Sequence, residues 1–399
     1  MQPVVSDKPY AFVPPYHGRF WAAVLQLYLP RHLSKAWGVE SVECRGAERL
    51  ASSLAAGHGI LLAPNHSRHC DPLVLGYLSR AVRCPFFAMA SWHLFMNGGF
   101  RAWLLNKMGA FSVFREGMDR AAVNAAIEIL VSAERPLVIF PEGVVSRAND
   151  RLNTLMEGTA FIARTAAKRR AKLSPPGQVV VHPVAIKYQF DGDVNRAIEP
   201  VLAEIEARLS WRPKSDLPLV ERIVKVGEAL LCLKELELLG QPQSGPIEDR
   251  LTRLIDHLLV PLEKEWTLGK RESHAVGRVK GLRSAILPDM IKGELSEAEK
   301  VRRWRQLDDC YLAQQLSWYP PNYLRSQPSP ERLLETVERF EEDLTDQVRA
   351  HRPISVVIEV GQPLVVSPER DRAAASDPVL DHIEAELTAM LARLARPSP

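Results

Sequence analysis

Residues 59–71 read GILLAPNHSRHCD, an apolar run of strand length that leads directly into a polar turn. The run GILLAP (59–64) contains no charge, which is typical of a strand buried on both faces of a parallel sheet. The polar residues behind it then lie at the carboxyl end of that strand, where open α/β sheets place their ligands. We therefore predict a strand-to-helix turn at His66 that faces a ligand.

Similar runs follow along the chain, separated by amphipathic segments. They are PFFAMA (85–90), AFSVF (110–114), PLVIFPEG (136–143) and VVVHPVAIKY (179–188). The segments between them, clearest at 119–134 and 156–172, carry apolar residues at steps of three and four, as crossover helices do. This alternation predicts an α/β fold, with a mostly parallel sheet flanked by helices.

The chain beyond residue 194 changes character twice. Between about 195 and 352 the strand-like runs vanish and long amphipathic stretches replace them, and ISVVIEVGQPLVV (354–366) then returns as a strand with a turn. A strand so late predicts a mixed sheet that is completed across a large helical insertion before the last strand. The predicted segments are an N-terminal amphipathic segment (1–40), an α/β domain (41–194), the helical insertion (195–352) and a closing strand and helix (353–399). A separate helical domain is the alternative for the insertion.

Composition excludes several classes of protein. With 46% hydrophobic residues among 399, the chain can bury a sizeable core. Its formal net charge of only +3 predicts no nucleic-acid partner. The five cysteines lack the paired spacing of a zinc site or a disulfide framework, which indicates reduced thiols and a cytoplasmic location. The N-terminus lacks the apolar core of a signal peptide, and no run reaches the roughly 18 to 20 apolar residues of a membrane span. We therefore expect only peripheral contact with a membrane.

His66 and Asp71 are the first candidates for chemistry. Five residues of α-helix rotate by about 500°, so these two side chains meet only if the chain turns non-helically between them. A carboxylate on one imidazole nitrogen fixes the tautomer and stabilises the imidazolium, which leaves the other nitrogen to take a proton from a hydroxyl. The pair alone is a weak signal, because a histidine five residues before an aspartate arises readily by chance.

Four sequence blocks, of which this pair is part of the first, occur in a fixed order. They are NHSRHCD (65–71), GAFSVFR (109–115), FPEGVVSR (140–147) and VHPVAI (181–186). The charges of the second and third blocks stand just beyond hydrophobic strands, so they face the same crevice. In these blocks and their order the chain resembles the glycerolphosphate and lysophosphatidate acyltransferase family over roughly residues 59–187. The late strand is similar to that family's closing strand.

The resemblance implies transfer of a fatty acyl group from acyl-CoA or acyl-carrier protein to a hydroxyl of a glycerolipid, with lysophosphatidate the favoured acceptor. His66 and Asp71 would be the catalytic dyad, Arg115 would hold the acceptor's phosphate, and Glu142 with Gly143 would shape the acceptor site. No cofactor and no metal are implied. The implied partners are the acyl donor, a lysophospholipid and the membrane surface, with a peripheral location.

The chain departs from the family pattern beside two of these blocks. Val144 and Val145 stand where members usually carry threonine and then arginine, while Arg68 brings a cation next to the catalytic turn. Arg68 and Arg147 are therefore further candidates for acceptor binding. A guanidinium suits phosphate because its planar fork forms two parallel charge-assisted hydrogen bonds.

Two alternatives stay open on the sequence alone. Four side chains are also suitable metal ligands, although their spacing matches no hydrolase signature; they are His66, His69, Asp71 and His182. A non-catalytic lipid-binding or assembly protein on the same fold is the alternative from another class.

Two aromatic-rich segments, 20–37 and 86–109, have the composition either of helices in a lipid interface or of buried core helices.

Overall fold

The computed structural model describes residues 5–96, 98–209, 211–212, 216–319, 322–324, 328–369 and 376–396. One sheet of eight strands is formed by these residues. The strands are β1 (Val39–Arg45), β2 (Gly59–Pro64), β3 (Phe87–Ser91), β4 (Ala110–Val113), β5 (Leu137–Val138), β6 (Val179–Phe190), β7 (Ile354–Val360) and β8 (Leu364–Val365).

Helices cover both faces of this sheet and continue into the insertion. In the first half of the chain they are α1 (Phe20–Trp37), α2 (Ala47–Ala55), α3 (Asp71–Ala81), α4 (His93–Met96), α5 (Gly99–Lys107), α6 (Arg120–Ser132) and α7 (Glu157–Arg170). In the second half they are α8 (Val194–Arg208), α9 (Leu219–Leu239), α10 (Ile247–Trp266), α11 (Ala275–Lys292), α12 (Glu297–Leu316), α13 (Pro330–Thr345) and α14 (Pro378–Arg393). No helix in the described ranges is both long and apolar enough to cross a membrane.

The strand order is β1-β7-β6-β2-β5-β3-β4, with β8 paired to β6. The run from β6 to β4 is parallel, whereas β7 is antiparallel to β6 and parallel to β1. The predicted mixed, mostly parallel α/β sheet is therefore confirmed. Residues 354–360 also pair within it as expected, in a register that joins Val184 to Val360 and Phe190 to Ile354. β6 needs this partner because it is twice as long as β2 and extends beyond it, which would leave backbone groups unpaired.

The sheet is buried on both faces, as the apolar runs predict. Along β2, Ile60 and Leu62 belong to a core shared with α3, α8 and α13, while Leu61 and Ala63 point into a second core with α6, α7 and α14. This alternation follows from the two-residue period of a strand. With both faces covered by helices, ligands can approach the central strands only at their ends.

The inserted helices divide between two cores. α8 and α13 pack against the sheet, through residues such as Ile198 and Val337. α10, α11 and α12 surround a core of their own that includes Leu254, Leu282 and Leu307. Some of these helices thus pack on the sheet, whereas others form a separate core. The division of the chain into a domain and an insertion stays a prediction.

Candidate active site

The turn between β2 and α3 carries the first block of the sequence. β2 ends at Pro64 and α3 begins at Asp71, so the predicted strand-to-helix turn at His66 is confirmed. Beyond the end of β2, the Asn65 side chain continues the hydrogen bonding to β6. Its Oδ1 accepts the Ile186 N–H at 2.7 Å, and its Nδ2 donates to the Ile186 carbonyl at 3.1 Å. These two bonds hold His66 at the carboxyl end of a central strand.

His66 and Asp71 meet in this turn. The imidazole Nδ1 lies 2.9 Å from Asp71 Oδ2, and the aspartate side chain is fully buried. Because a carboxylate only accepts, Nδ1 carries the proton and Nε2 keeps its lone pair. Nε2 makes no hydrogen bond within the described part of the chain, and 15% of the His66 side chain is exposed. The arrangement therefore leaves one basic nitrogen accessible to a substrate.

Asp71 is itself oriented by two further donors. Its Oδ2 also accepts the Arg68 N–H at 2.9 Å, and its Oδ1 accepts the Tyr188 hydroxyl at 2.5 Å. Burial, and next the Asp71 charge, raise the pKa of Tyr188 well above its ordinary value, so the hydroxyl stays protonated and donating. The buried carboxylate is thus satisfied at both oxygens and cannot rotate away from His66.

The FPEG block supports the histidine from the other side. Glu142 Oε1 accepts the backbone N–H of His66 at 2.7 Å, and the His66 carbonyl accepts the Ser146 N–H at 2.7 Å. The Phe140 ring stacks on the imidazole, with 4.0 Å between the ring centroids. Glu142 is buried, which raises the pKa of its carboxyl group to about 8 although the Asn153 and His66 N–H groups oppose this. Glu142 therefore holds the backbone of the turn that carries His66.

Gly143 is required by the backbone of the same loop. Its φ is +68°, and a Cβ at this position would lie 2.2 Å from Met156 Sδ. The left-handed φ favours glycine, and the Met156 side chain would have to move to admit a Cβ. The glycine therefore keeps the loop tight enough for Glu142 to reach His66.

Residues 41–187 match the family model described as Acyltransferase. The matched residues run from β1 to β6, and over this range the chain is similar to that family. A curated relative, the 1-acyl-sn-glycerol-3-phosphate acyltransferase of Streptococcus pneumoniae (strain ATCC BAA-255 / R6), is 29% identical over 140 residues. That alignment covers 35% of this chain and 50% of the relative, so it spans about half the length of the curated protein.

Arg115 follows β4, three strands from β2 in the sheet. Its guanidinium forms no ion pair with the residues that the structure describes, and burial lowers its pKa, with Glu116 opposing the shift. It acts electrostatically on the His93 imidazole and on two cations of α11, Lys280 and Arg283. Arg115 therefore keeps its charge available, and its predicted contact with phosphate stays a prediction.

Arg68 and Arg147 instead contact carboxylates of the insertion. Arg68 Nη2 lies 3.3 Å from Glu338 Oε2 and its guanidinium stands over the Tyr188 ring, while Arg147 is ion-paired to Glu342. Both glutamates belong to α13. Since these charges already have partners, their structural role is to join α13 to the loops around His66, and their part in acceptor binding stays a prediction.

The metal alternative has little support among the described residues. His182 Nε2 is bonded to Ser53 Oγ at 2.9 Å and its Nδ1 to the Gly361 carbonyl at 3.1 Å, so both ring nitrogens are engaged. Among the residues described, no three histidine, cysteine or acidic side chains form a group suited to a metal ion. Cys70 is not poised as a nucleophile either, because burial, and next Asp71, raise the pKa of its thiol to about 12.

Sequence reasoning missed two side chains that shape the dyad. Phe140 belongs to the FPEG block, whose apolar residues predict only the end of a strand. Tyr188 ends the apolar run of β6, and its hydroxyl meets Asp71 across 117 residues of sequence. No local pattern marks such a contact, because it depends on the register of β6 against β2.

We expect Tyr188→Phe to lower turnover while preserving the fold. The ring, and with it the contact to Arg68, is retained, but Asp71 Oδ1 loses its donor. A hydrogen bond to a charged group contributes about 1.5–3 kcal/mol, so the turnover number should fall by roughly 10- to 100-fold. Steady-state kinetics beside a thermal melt check this. Unchanged turnover in a folded variant would show that Asp71 is held adequately without the tyrosine.

Proposed function

We propose that this protein transfers a fatty acyl group from a thioester to a hydroxyl of a glycerolipid. One observation supports this most: a partly exposed His66 whose Nδ1 is held by the buried Asp71 at the carboxyl end of a central strand. This arrangement suits a general base, because the carboxylate stabilises the imidazolium that forms when Nε2 takes a proton.

The reaction would proceed in two proton transfers. Nε2 of His66 takes the proton of the acceptor hydroxyl while the hydroxyl oxygen forms a bond to the thioester carbonyl carbon. The resulting imidazolium is stabilised by the Asp71 carboxylate. The tetrahedral intermediate then collapses, the carbon–sulfur bond breaks, and the leaving sulfur receives the proton from His66. An ester and a free thiol are the products, and the dyad is restored.

The proposed acceptor is a lysophospholipid that carries a phosphate, with lysophosphatidate the first choice. The Streptococcus pneumoniae relative, a 1-acyl-sn-glycerol-3-phosphate acyltransferase, supports this class of acceptor. Arg115 supports it independently, since an unpaired and partly buried guanidinium near the carboxyl edge of the sheet suits a phosphate. Acyl-CoA and acyl-carrier protein are the two donors proposed.

A peripheral contact with lipid is proposed on one aromatic surface. Phe20 and Leu27 of α1 and Phe100 of α5 are largely exposed, and the two helices meet where Trp21 and Trp103 lie edge to face at 4.9 Å. Exposed aromatic and aliphatic side chains on adjoining helices suit the interface between headgroups and acyl chains. Such a surface would bring the lipid acceptor close to the domain.

The test of this function is release of free thiol. Purified protein is given a long-chain acyl-CoA or acyl-carrier protein, with or without lysophosphatidate in vesicles, and both the thiol and the diacylated product are measured. We expect thiol and product in equal amounts, and only when the acceptor is present. Binding of donor and acceptor without any thiol release would instead favour the non-catalytic lipid-binding protein.

Replacement of Arg115 should affect acceptor binding first. With donor saturating, we expect Arg115→Ala to raise the Michaelis constant for lysophosphatidate by about 10- to 100-fold, because a charge-assisted contact to phosphate is lost. The constant for monoacylglycerol, which has no phosphate, should change little. Arg115→Lys is the matched variant, since it keeps the charge and loses the fork. An equal change with both acceptors would make Arg115 a structural residue.

A further inference from the structure

Helix α11 of the insertion carries a buried cation that the catalytic domain does not neutralise. Arg283 is 4% exposed, and its Nε and Nη2 are buried without a hydrogen-bond partner among the described residues. An unpaired guanidinium away from water is strongly unfavourable, so buried arginines are normally paired with a carboxylate. A side chain of this kind indicates an anion that binds from outside the chain.

Arg283 does not stand alone. Lys280 lies three residues earlier on the same face of α11, and both cations are within electrostatic range of Arg115 on the acyltransferase domain. Loss of solvent, followed by the Arg115 charge, lowers the pKa of Lys280 and of Arg283. The insertion and the domain thus present cations to the same region.

The acidic groups near this cluster do not balance it. Glu116 is the carboxylate that acts on all three cations, and its Oε2 accepts the Arg115 N–H at 3.2 Å. The other groups that act on Arg283 are the Cys310 thiol and the Tyr311 hydroxyl of α12, which are neutral at pH 7. Among the described residues the cluster therefore carries an excess of positive charge, which suits an anion such as a phosphate monoester.

His93 connects this cluster with the catalytic turn. It is half-buried at the end of β3, with Nδ1 2.8 Å from Ser91 Oγ, and it lies within electrostatic range of Arg115, Arg283 and His69. Burial, followed by Arg115, lowers its pKa to about 4, so it adds no charge at neutral pH. His93 is thus close both to the cation cluster and to the turn that carries His66 and Asp71.

We propose that Arg283 and Lys280 of the insertion complete, together with Arg115, a binding site for a phosphate monoester. The helical insertion then contributes side chains to a substrate-binding site. The inference rests on the proposed function for the identity of the substrate. The phosphate comes either from the acceptor's glycerol phosphate or from the ribose 3′-phosphate of coenzyme A.

The two sources are separated by two small probes, glycerol 3-phosphate and adenosine 3′,5′-bisphosphate. Calorimetric titration of the whole protein gives the dissociation constant of each, and a thermal melt gives the stabilisation that each provides. The variants are Arg283→Met and Lys280→Met, which remove charge and keep length. Lys292→Met is the matched control, because Lys292 is exposed on the same helix and already paired with Asp289 at 3.3 Å.

We expect Arg283→Met and Lys280→Met to weaken binding of one probe by about 10- to 100-fold, while the control leaves it unchanged. Loss of glycerol 3-phosphate binding assigns the site to the acceptor, and loss of bisphosphate binding assigns it to the donor. Without a probe, Arg283→Met should melt no lower than wild type, since it removes an uncompensated buried charge. If Arg283→Met does not fold, Lys280→Met decides, because that side chain is exposed.

The proposal is overturned if wild type binds neither probe at millimolar concentration, or if folded variants bind both as wild type does. Failure of the proposed function gives a different result. In that case the probes bind and the variants weaken them, but no thiol is released from acyl-CoA or acyl-carrier protein with any acceptor.

Discussion

His66→Ala is expected to abolish almost all acyl transfer. A positioned general base contributes about 10²- to 10⁴-fold to a rate, so turnover should fall by that factor. The fold should survive, because Glu142 and Ser146 contact only backbone atoms of His66 and its side chain is partly exposed. The rate of thiol release measures turnover, and a thermal melt of the same preparation shows whether the variant is folded.

His69→Ala is the matched control for that variant. His69 is an exposed imidazole in the same turn, and it makes no hydrogen bond within the residues described. Its removal should leave turnover near that of wild type. Comparable rates for the His66 and His69 variants would contradict the assignment of His66 as base, whether both were slow or both were normal.

Asp71→Asn should lower turnover by as much as about 10⁴-fold, the effect of the same change in a well-studied triad. The amide has one acceptor oxygen, whereas Asp71 accepts from His66 and Arg68 at Oδ2 and from Tyr188 at Oδ1. An amide oriented toward His66 through its NH₂ group would also select the wrong tautomer. Even in the other orientation it cannot stabilise an imidazolium.

The measurement for Asp71→Asn is single-turnover acyl transfer with saturating lysophosphatidate, which isolates the chemical step from binding. Asp71 is fully buried, so a thermal melt must accompany the rate. Asp71→Glu is the companion variant, since it keeps the charge and displaces the carboxylate by one methylene. If Asp71→Asn is folded and turns over within a few-fold of wild type, the carboxylate serves only the start of α3.

The sequence alone determined the parts of this protein that depend on local pattern. The uncharged run at 59–64 predicted a strand buried on both faces, and β2 lies in the middle of the sheet. Helical rotation excluded a continuous helix between His66 and Asp71, and the observed turn confirms this. The late return of strand-like residues predicted that β7 completes the sheet. Each of these inferences needs only the periodicity or spacing of neighbouring residues.

The tertiary structure alone decided which distant groups surround the dyad. Tyr188 reaches Asp71 because of the register of β6 against β2, and α13 brings Glu338 to Arg68. The position of Arg283 without a partner likewise depends on how α11 is placed beside Arg115. Periodicity indicates which face of a helix is buried, but not what that face meets. The surroundings of Arg68, Asp71 and Arg283 are therefore set by packing between segments more than 100 residues apart in sequence.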